Sequence, residues 1–471
     1  MLFAIALSQC LTRTVGLWDV GTLSNLVKFR MRDGIAVIVL ASPPVNALTH
    51  ALRVELDRLL DQLAARDDVM AVSITGEGDT FWAGVDVRQM DKLDDAPSLR
   101  SICQKIENLP VPVIAGLRGM VLSGGVELAL AAHYRLAEVD CKIAMPDASL
   151  GLLSPAGATQ RLPRLIGAAA ALDILMNGKP VSAEQAKLSG LIDGIVTGGI
   201  RAATLQFAEH LITNASPPRP VRGMSKGLRD PKYFDAISQA RKAAERDPLH
   251  VKSLYVDAVE AAAMLPFDVG LEFEQERWQQ SLADPQSAAL RRLFAAEHQM
   301  PTDMVTRDPE TRRRVLGPKA QDILKRLRRS QVIAAEMMFA MGRSKGAIDA
   351  AMIDYGFAKG HFGAEPERVS PQDRTEIIER VIGAIAGEGA RILQDGLARR
   401  AADIDAVAVI GMGFPRWHSG PMHAAREIGV VQLREKMRDW QVESPVWTVP
   451  RMMDEAAKYL MGFDAISVQR T

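Results

Sequence analysis

The stretch LSGGVELALAAHYRLAEVD, residues 122–140, decides how the first half of the chain is read. A Ser-Gly-Gly turn runs straight into an apolar run, and that run carries one carboxylate, Glu127, in the opening turn of an expected helix. An acid there has an ordinary explanation, because Asp and Glu in a first turn complement the positive end of the helix dipole. It has a second one as a catalytic acid/base beside an anion site made of helix N-terminal N–H groups. The rest of the chain has to choose between them.

Working outward, GIAVIVLA (34–41) is a short β-branched run closed by SPPVNA, and it reads as a strand. Leu52, Leu56, Leu59, Leu60 and Leu63 then recur at helical spacing within ALRVELDRLLDQLAAR. MAVSIT (70–75) and PVIAG (112–116) are further strand candidates, each followed by Gly-rich turn chemistry and a helical stretch. This ββα/βα rhythm predicts an α/β fold with mostly parallel pairing. Beyond about residue 200 the strand signals almost vanish, and Ala-, Arg- and Leu-rich sequence with helical periods predicts a mainly helical remainder. Segment 307–329, with nine basic and three acidic residues, reads as a solvated linker or the outer face of a helix.

The bulk numbers narrow the function classes. A chain of 471 residues predicts two to four domains. Its 57 basic and 57 acidic residues cancel, so no global field draws it to nucleic acid or to an anionic membrane. No apolar run reaches transmembrane length. The start, MLFAIALSQCLTR, lacks both a preceding basic region and a small-residue cleavage pattern, and so reads as an extension and not a signal peptide. Cys10, Cys103 and Cys141 have no metal-ligand or disulfide spacing, which suits a reducing cytosol and predicts a cytoplasmic protein without a metal.

Three pieces then converge: FWAGVDV (81–87), LSGGVELAL (122–130) and MPDASLGLLSPAGATQRLPRLIG (145–167). In this order and spacing, with GKPVSAEQAKLSGLIDGIV (178–196) downstream, they closely resemble the crotonase superfamily, the enoyl-CoA hydratases and isomerases, over about residues 27–200. The HYR of ALAAHYRLA resembles the bifunctional branch, in which a hydratase is fused to a 3-hydroxyacyl-CoA dehydrogenase. The resemblance implies an acyl-CoA thioester substrate. It implies hydration of a trans-2-enoyl-CoA to a 3-hydroxyacyl-CoA in fatty acid β-oxidation, through an enolate held in an oxyanion hole.

By the same resemblance the N–H groups of Val85 and Gly124 form that hole. Gly124 and Gly125 let the backbone approach the thioester, since neither has a Cβ, and Ala83, Asp86 and the turn after them lie along the substrate. Glu127 positions and deprotonates the attacking water. Asp147, where hydratases usually carry Glu, is the second acid. Pro155 stands where hydratases typically have a Gly whose N–H helps hold the water, and proline has no N–H to give. That departure keeps two alternatives open: a 3-enoyl to 2-enoyl-CoA isomerase, which needs one carboxylate and no water, and a catalytically weak acyl-CoA-binding or scaffold remnant. Gln160 and Arg161 are expected to support the fold.

Further on, residues 265–298 resemble the linker helix of the bifunctional enzymes, and 342–363 and 388–429 resemble the helical repeats of the dehydrogenase. Only about 40 residues separate Gln299 from Gly342, whereas a single βαβ unit takes about 30 and a dinucleotide fold needs several. No GxGxxG occurs in the chain. The expected architecture is therefore an α/β crotonase-like ββα spiral followed by a mainly helical region resembling the C-terminal domain of 3-hydroxyacyl-CoA dehydrogenase. Its expected parts are an N-terminal extension (1–26), the acyl-CoA domain (27–225), a helical extension (226–300), a charged linker (301–335) and the helical domain (336–471). No cofactor is expected beyond the coenzyme A of the substrate, and NAD is not. The expected partners are the thioester and either a second copy of the chain or a β-oxidation partner. His361, His418 and His423 read as scaffold.

Overall fold

The computed structural model describes residues 21–22, 26–42, 45–84, 95–308 and 314–466. They divide into two compact units: one of residues up to 146 with 154–239 and 255–275, the other of 147–153, 240–254 and residues from 276 onward.

The first unit is built on two sheets that the chain visits alternately. In chain order its elements are β1 (Gly21–Thr22), β2 (Val27–Arg32), β3 (Ile35–Leu40), α1 (His50–Ala64), β4 (Ala71–Gly76), β5 (Trp82–Ala83), α2 (Leu99–Glu107), β6 (Val113–Leu117), β7 (Met120–Leu122) and α3 (Gly124–Ala131). There follow β8 (Tyr134–Glu138), β9 (Lys142–Ala144), α4 (Ala158–Asn177), β10 (Val181–Ser182), α5 (Ala183–Ser189), β11 (Gly194–Val196) and α6 (Ile200–Thr213). The large sheet runs β1-β2-β3-β4-β6-β8-β11 and the small one β10-β9-β7-β5. Strands β3, β4, β6, β8 and β11 are parallel neighbours, as are β5, β7 and β9. Three successive turns, β4-β5-α2, β6-β7-α3 and β8-β9-α4, thus leave one strand in each sheet before their helix, which is the ββα spiral expected from the sequence.

The reason for this layering lies in the residue pattern. All six residues of β3, IAVIVL, are buried, as a parallel strand covered on both faces requires. Ile35, Val37 and Val39 share a cluster with Ile114, Leu136 and with Ile200, Ala203 and Leu211 of α6, so α6 closes one face of the large sheet. Helix α1 starts where the Thr49 side chain accepts the Leu52 N–H at 3.2 Å, and it buries the Leu52-Leu56-Leu59-Leu60-Leu63 stripe.

The deciding stretch holds a surprise. Helix α3 is only eight residues long, and YRLAE after it is β8. His133 at the changeover is fully buried: its Nδ1 accepts the Val113 N–H at 3.0 Å, so its Nε2–H donates to the Glu107 carbonyl at 3.1 Å. Burial lowers its pKa, which keeps the ring neutral. Arg135, also buried, donates to the Leu191 and Ala132 carbonyls. The HYR motif therefore fastens the seam between α3 and β8.

Three helices follow: α7 (Tyr233–Ala244), α8 (Val251–Met264) and α9 (Phe267–Ala283). Residues 255–275, expected in a helical extension, belong to the first unit because they supply it with buried acceptors. The Ala258 carbonyl takes Gln160 Nε2 at 2.9 Å, and the Val259 carbonyl takes the Tyr233 hydroxyl at 2.5 Å.

The second unit is mainly helical. It contains α10 (Pro285–Gln299), a hairpin of β12 (Val305–Arg307) and β13 (Arg314–Leu316), then α11 (Pro318–Ala340), α12 (Lys345–Tyr355), α13 (Pro371–Gln394), α14 (Ala401–Met412), α15 (Pro421–Ile428), α16 (Val430–Trp440) and α17 (Arg451–Ala456). The stretch read as a charged linker, 301–335, thus holds a hairpin and most of a 23-residue helix. Its charges lie between apolar residues at helical spacing, and Ile323, Leu324, Leu327, Ala334 and Met338 are buried in the core of the unit. The three histidines each sit near a carboxylate: His361 near Glu336, and His418 and His423 both near Glu427. Among the described residues no helix is long and apolar enough to cross a membrane, and no group of three or more His, Cys, Asp or Glu could hold a metal ion.

Candidate active site

The register of the small sheet sets the site. Strand β5 runs parallel to β7 with Trp82 opposite Val121 and Ala83 opposite Leu122. Both strands therefore end at the same edge, about 5 Å apart, one leading into Gly84 and the other into Ser123 and Gly124. Val85 and Asp86, the expected second oxyanion donor and substrate neighbour, lie outside the described residues, and of Ala83 only the backbone is described.

Gly124 and Gly125 head α3. Ser123 before them is held at φ 47°, a sparsely populated conformation for a residue with a side chain, and its N–H is fixed on the Ala144 carbonyl at 3.0 Å. The Val126 and Glu127 N–H groups turn back to the Ser123 carbonyl at 2.9 and 3.1 Å. The N–H groups of Gly124 and Gly125 thus stand at the helix head, where a helix has no acceptors of its own. Packing requires the glycine at 125, where a Cβ would lie 2.7 Å from the Trp82 carbonyl oxygen and Cβ, whereas one on Gly124 would meet the end of the Leu99 side chain at 2.8 Å. Gly125→Ala must therefore push the head of α3 off β5. Its expected cost is about 1–3 kcal/mol of stability, read by denaturant unfolding.

Glu127 is 1 % exposed. Its Oε1 accepts the N–H of Ala156 at 2.7 Å and that of Ala158 at 3.3 Å. These are backbone donors at the start of α4, whose own N-cap, Gly157, is left-handed at φ 100° and brings no side chain. A second carboxylate completes the same turn. Glu274 of α9, fully buried, accepts the Gly157 N–H at 2.6 Å, the Thr159 N–H at 3.0 Å and the Thr159 hydroxyl at 2.5 Å. Burial pushes the Glu274 carboxyl up to about 7, against the pull of those donors and of Arg161.

The turn is also held through its carbonyl. Arg161 Nη1 donates to the Ala156 oxygen at 2.7 Å, while its Nε and Nη2 meet the two oxygens of Glu107 at 3.1 and 2.8 Å. Arg161 is thus a clamp in the fold, as expected. Pro155 has no N–H, and before it Ser154 Oγ lies 3.0 Å from the Tyr255 hydroxyl, both residues buried. Asp147 is the expected second acid. It is half-buried in the short 3-10 turn Pro146–Leu150, its carbonyl accepting the Leu152 N–H at 3.2 Å, and it belongs to the second unit.

Sequence reading missed Glu274, which hides in LEFEQERWQQ among Glu272 and Glu276. The signal was its phase. Phe267, Leu271, Trp278 and Ser281 mark the buried stripe of α9, and 274 falls on that stripe while 272 and 276 are exposed.

Residues 30–254 match the family described as enoyl-CoA hydratase/isomerase. A probable enoyl-CoA hydratase of Bacillus subtilis is 36% identical over 198 residues, which cover 39% of this chain and 77% of that protein. The chain belongs to the enoyl-CoA hydratase/isomerase family. The peroxisomal bifunctional enzyme of Danio rerio is 32% identical over 269 residues, 57% of this chain, and the fatty acid oxidation complex subunit alpha of Shewanella amazonensis is 32% identical over 308 residues, 60% of it. The chain spans 37% of the first and 43% of the second.

Proposed function

We propose that the protein hydrates a trans-2-enoyl-CoA to a 3-hydroxyacyl-CoA in fatty acid β-oxidation. The observation that carries this reading is the placement of one buried carboxylate, Glu127, in the first turn of the helix whose opening N–H groups come from Gly124 and Gly125. The thioester carbonyl oxygen would accept the N–H of Gly124 and, by family resemblance, that of Val85. Donors fixed in advance stabilise charge on that oxygen without reorganising. Glu127 takes a proton from water as the oxygen attacks Cβ. The enolate collects its charge on the held oxygen, and a proton returned to Cα, from Asp147 in this reading, completes the addition.

Pro155 favours a second reading, the 3-enoyl to 2-enoyl-CoA isomerase. Its position offers no N–H to a water, and the next N–H, that of Ala156, is given to Glu127. We also propose that the dehydrogenase half-reaction is absent and that NAD is not used, since the stretch between α10 and α12 is occupied by a hairpin and α11. In this reading the helical unit serves as a scaffold or a subunit contact, and the two described cysteines, both buried free thiols, suit a reducing compartment.

The test is an assay on a short trans-2-enoyl-CoA with wild type and Glu127→Ala side by side. Hydration by wild type, lost in the variant, is the expected result. Silence on this substrate with turnover of a 3-enoyl-CoA would establish the isomerase, and silence on both would leave an acyl-CoA-binding protein.

A further inference from the structure

Four successive N–H groups open helix α4, and two carboxylates divide them alternately. Glu127 takes those of Ala156 and Ala158, and Glu274 takes those of Gly157 and Thr159. We propose that Glu274 is a positioning residue for Glu127: by holding the other half of this turn, it fixes the donors that aim the catalytic carboxylate. The proposal rests on the reading of Glu127 as the base.

Gly157 is the N-cap and has no side chain. Arg161 holds the Ala156–Gly157 peptide plane by its other edge, donating to the Ala156 carbonyl, while Glu274 takes the Gly157 N–H of the same plane. Glu274 reaches the turn from a different helix, α9, whose own place is set by Phe267, Leu271 and Trp278 in the core. Glutamine in place of Glu274 keeps one oxygen but leaves one of the two buried N–H groups facing an amide NH2 instead of an acceptor, which is costly enough to make the turn rotate toward other acceptors. Rotation carries the Ala156 and Ala158 N–H groups away from Glu127. A shift near 1 Å in a positioned group can cost on the order of 100-fold in rate.

The experiment compares wild type, Glu274→Gln, Glu274→Asp and, as a control on the same helix, Glu272→Gln at an exposed position. Two quantities are read: kcat and KM for enoyl-CoA hydration, and backbone amide exchange over residues 154–160. The expected result for Glu274→Gln is a fall in kcat of about 10- to 100-fold with KM within about threefold, and exchange over 154–160 faster while that of β3, β4 and β6 is unchanged. Glu274→Asp keeps the charge and recovers part of kcat, and Glu272→Gln matches wild type. A purely structural role would instead lower the fraction of active enzyme and speed exchange across the unit. Glu274→Gln with kcat within twofold of wild type, or with exchange over 154–160 unaltered, overturns the proposal. Should Glu274→Gln not fold, Glu274→Asp decides by the same two readings. A wild type that turns over no enoyl-CoA sinks the function proposed above; the exchange rates then decide alone whether Glu274 holds the turn.

Discussion

Glu127→Gln lowers kcat for hydration of a short trans-2-enoyl-CoA by about 10³-fold or more, within the range of losses when a positioned acid/base is removed, while KM moves by less than about threefold. Glutamine has the size of glutamate and keeps one oxygen, so the Ala156 N–H retains its acceptor and the turn before α4 stays ordered. What disappears is the capacity to take a proton from water. On the proposed reading the loss falls on kcat, because backbone N–H groups that the substitution does not touch would bind the thioester. Steady-state kinetics with the melting temperature measured in parallel check this. A folded variant retaining more than about a tenth of kcat would show that Glu127 is only the helix-dipole partner that its first-turn position also permits.

Breaking the clamp beneath the site has the largest expected effect on stability. Arg161 and Glu107 are about 1 % and 0 % exposed and meet through two hydrogen bonds. Arg161→Met leaves Glu107 as a buried anion served by the Arg222 N–H at 3.2 Å, and strips the Ala156 carbonyl of its donor. Removing one partner of a buried pair costs about 3–5 kcal/mol. Replacing both, as Arg161→Met with Glu107→Met, leaves no buried charge and is expected to cost clearly less than the sum of the two single changes. Urea unfolding followed through the first unit, run as a double-mutant cycle, measures the difference. Additive effects would contradict direct pairing.

How legible the molecule was depends on element length. The α1 stripe of Leu52, Leu56, Leu59, Leu60 and Leu63 fills four turns, so its helix could be read from spacing alone. The strands that build the site could not. β5 has two residues and β7 three, too few to show a period, and they are recognisable only by the glycines and motifs that flank them. The end of helix α3 could not be read from the sequence, because ALAAHYRLAE gives no break at the changeover. The stretch is buried first as a helix and then as a strand, and burial on all sides erases the periodicity that separates the two. Glu127 and the Ser-Gly-Gly turn were legible because a charge and two glycines interrupt that run. Glu274 was not: it lies 147 positions further along the chain, and only the phase of its helix marked it as buried. The hairpin and α11 in the segment read as a linker were obscured by their charges, which sit on the solvated side of a helix whose apolar side is core.

The central claim is that the N-terminus of α3 grips the thioester carbonyl beside Glu127. It is tested most directly by the absorbance of a conjugated aryl-acryloyl-CoA bound to Glu127→Gln, where binding proceeds without turnover. Hydrogen bonds to the carbonyl oxygen pull electron density along the conjugated system, so the account predicts a clear red shift of the bound ligand, abolished when Gly125→Ala is added to that variant. A ligand that binds with its spectrum unshifted would contradict it, because the carbonyl would then lie away from the N–H groups that head the helix.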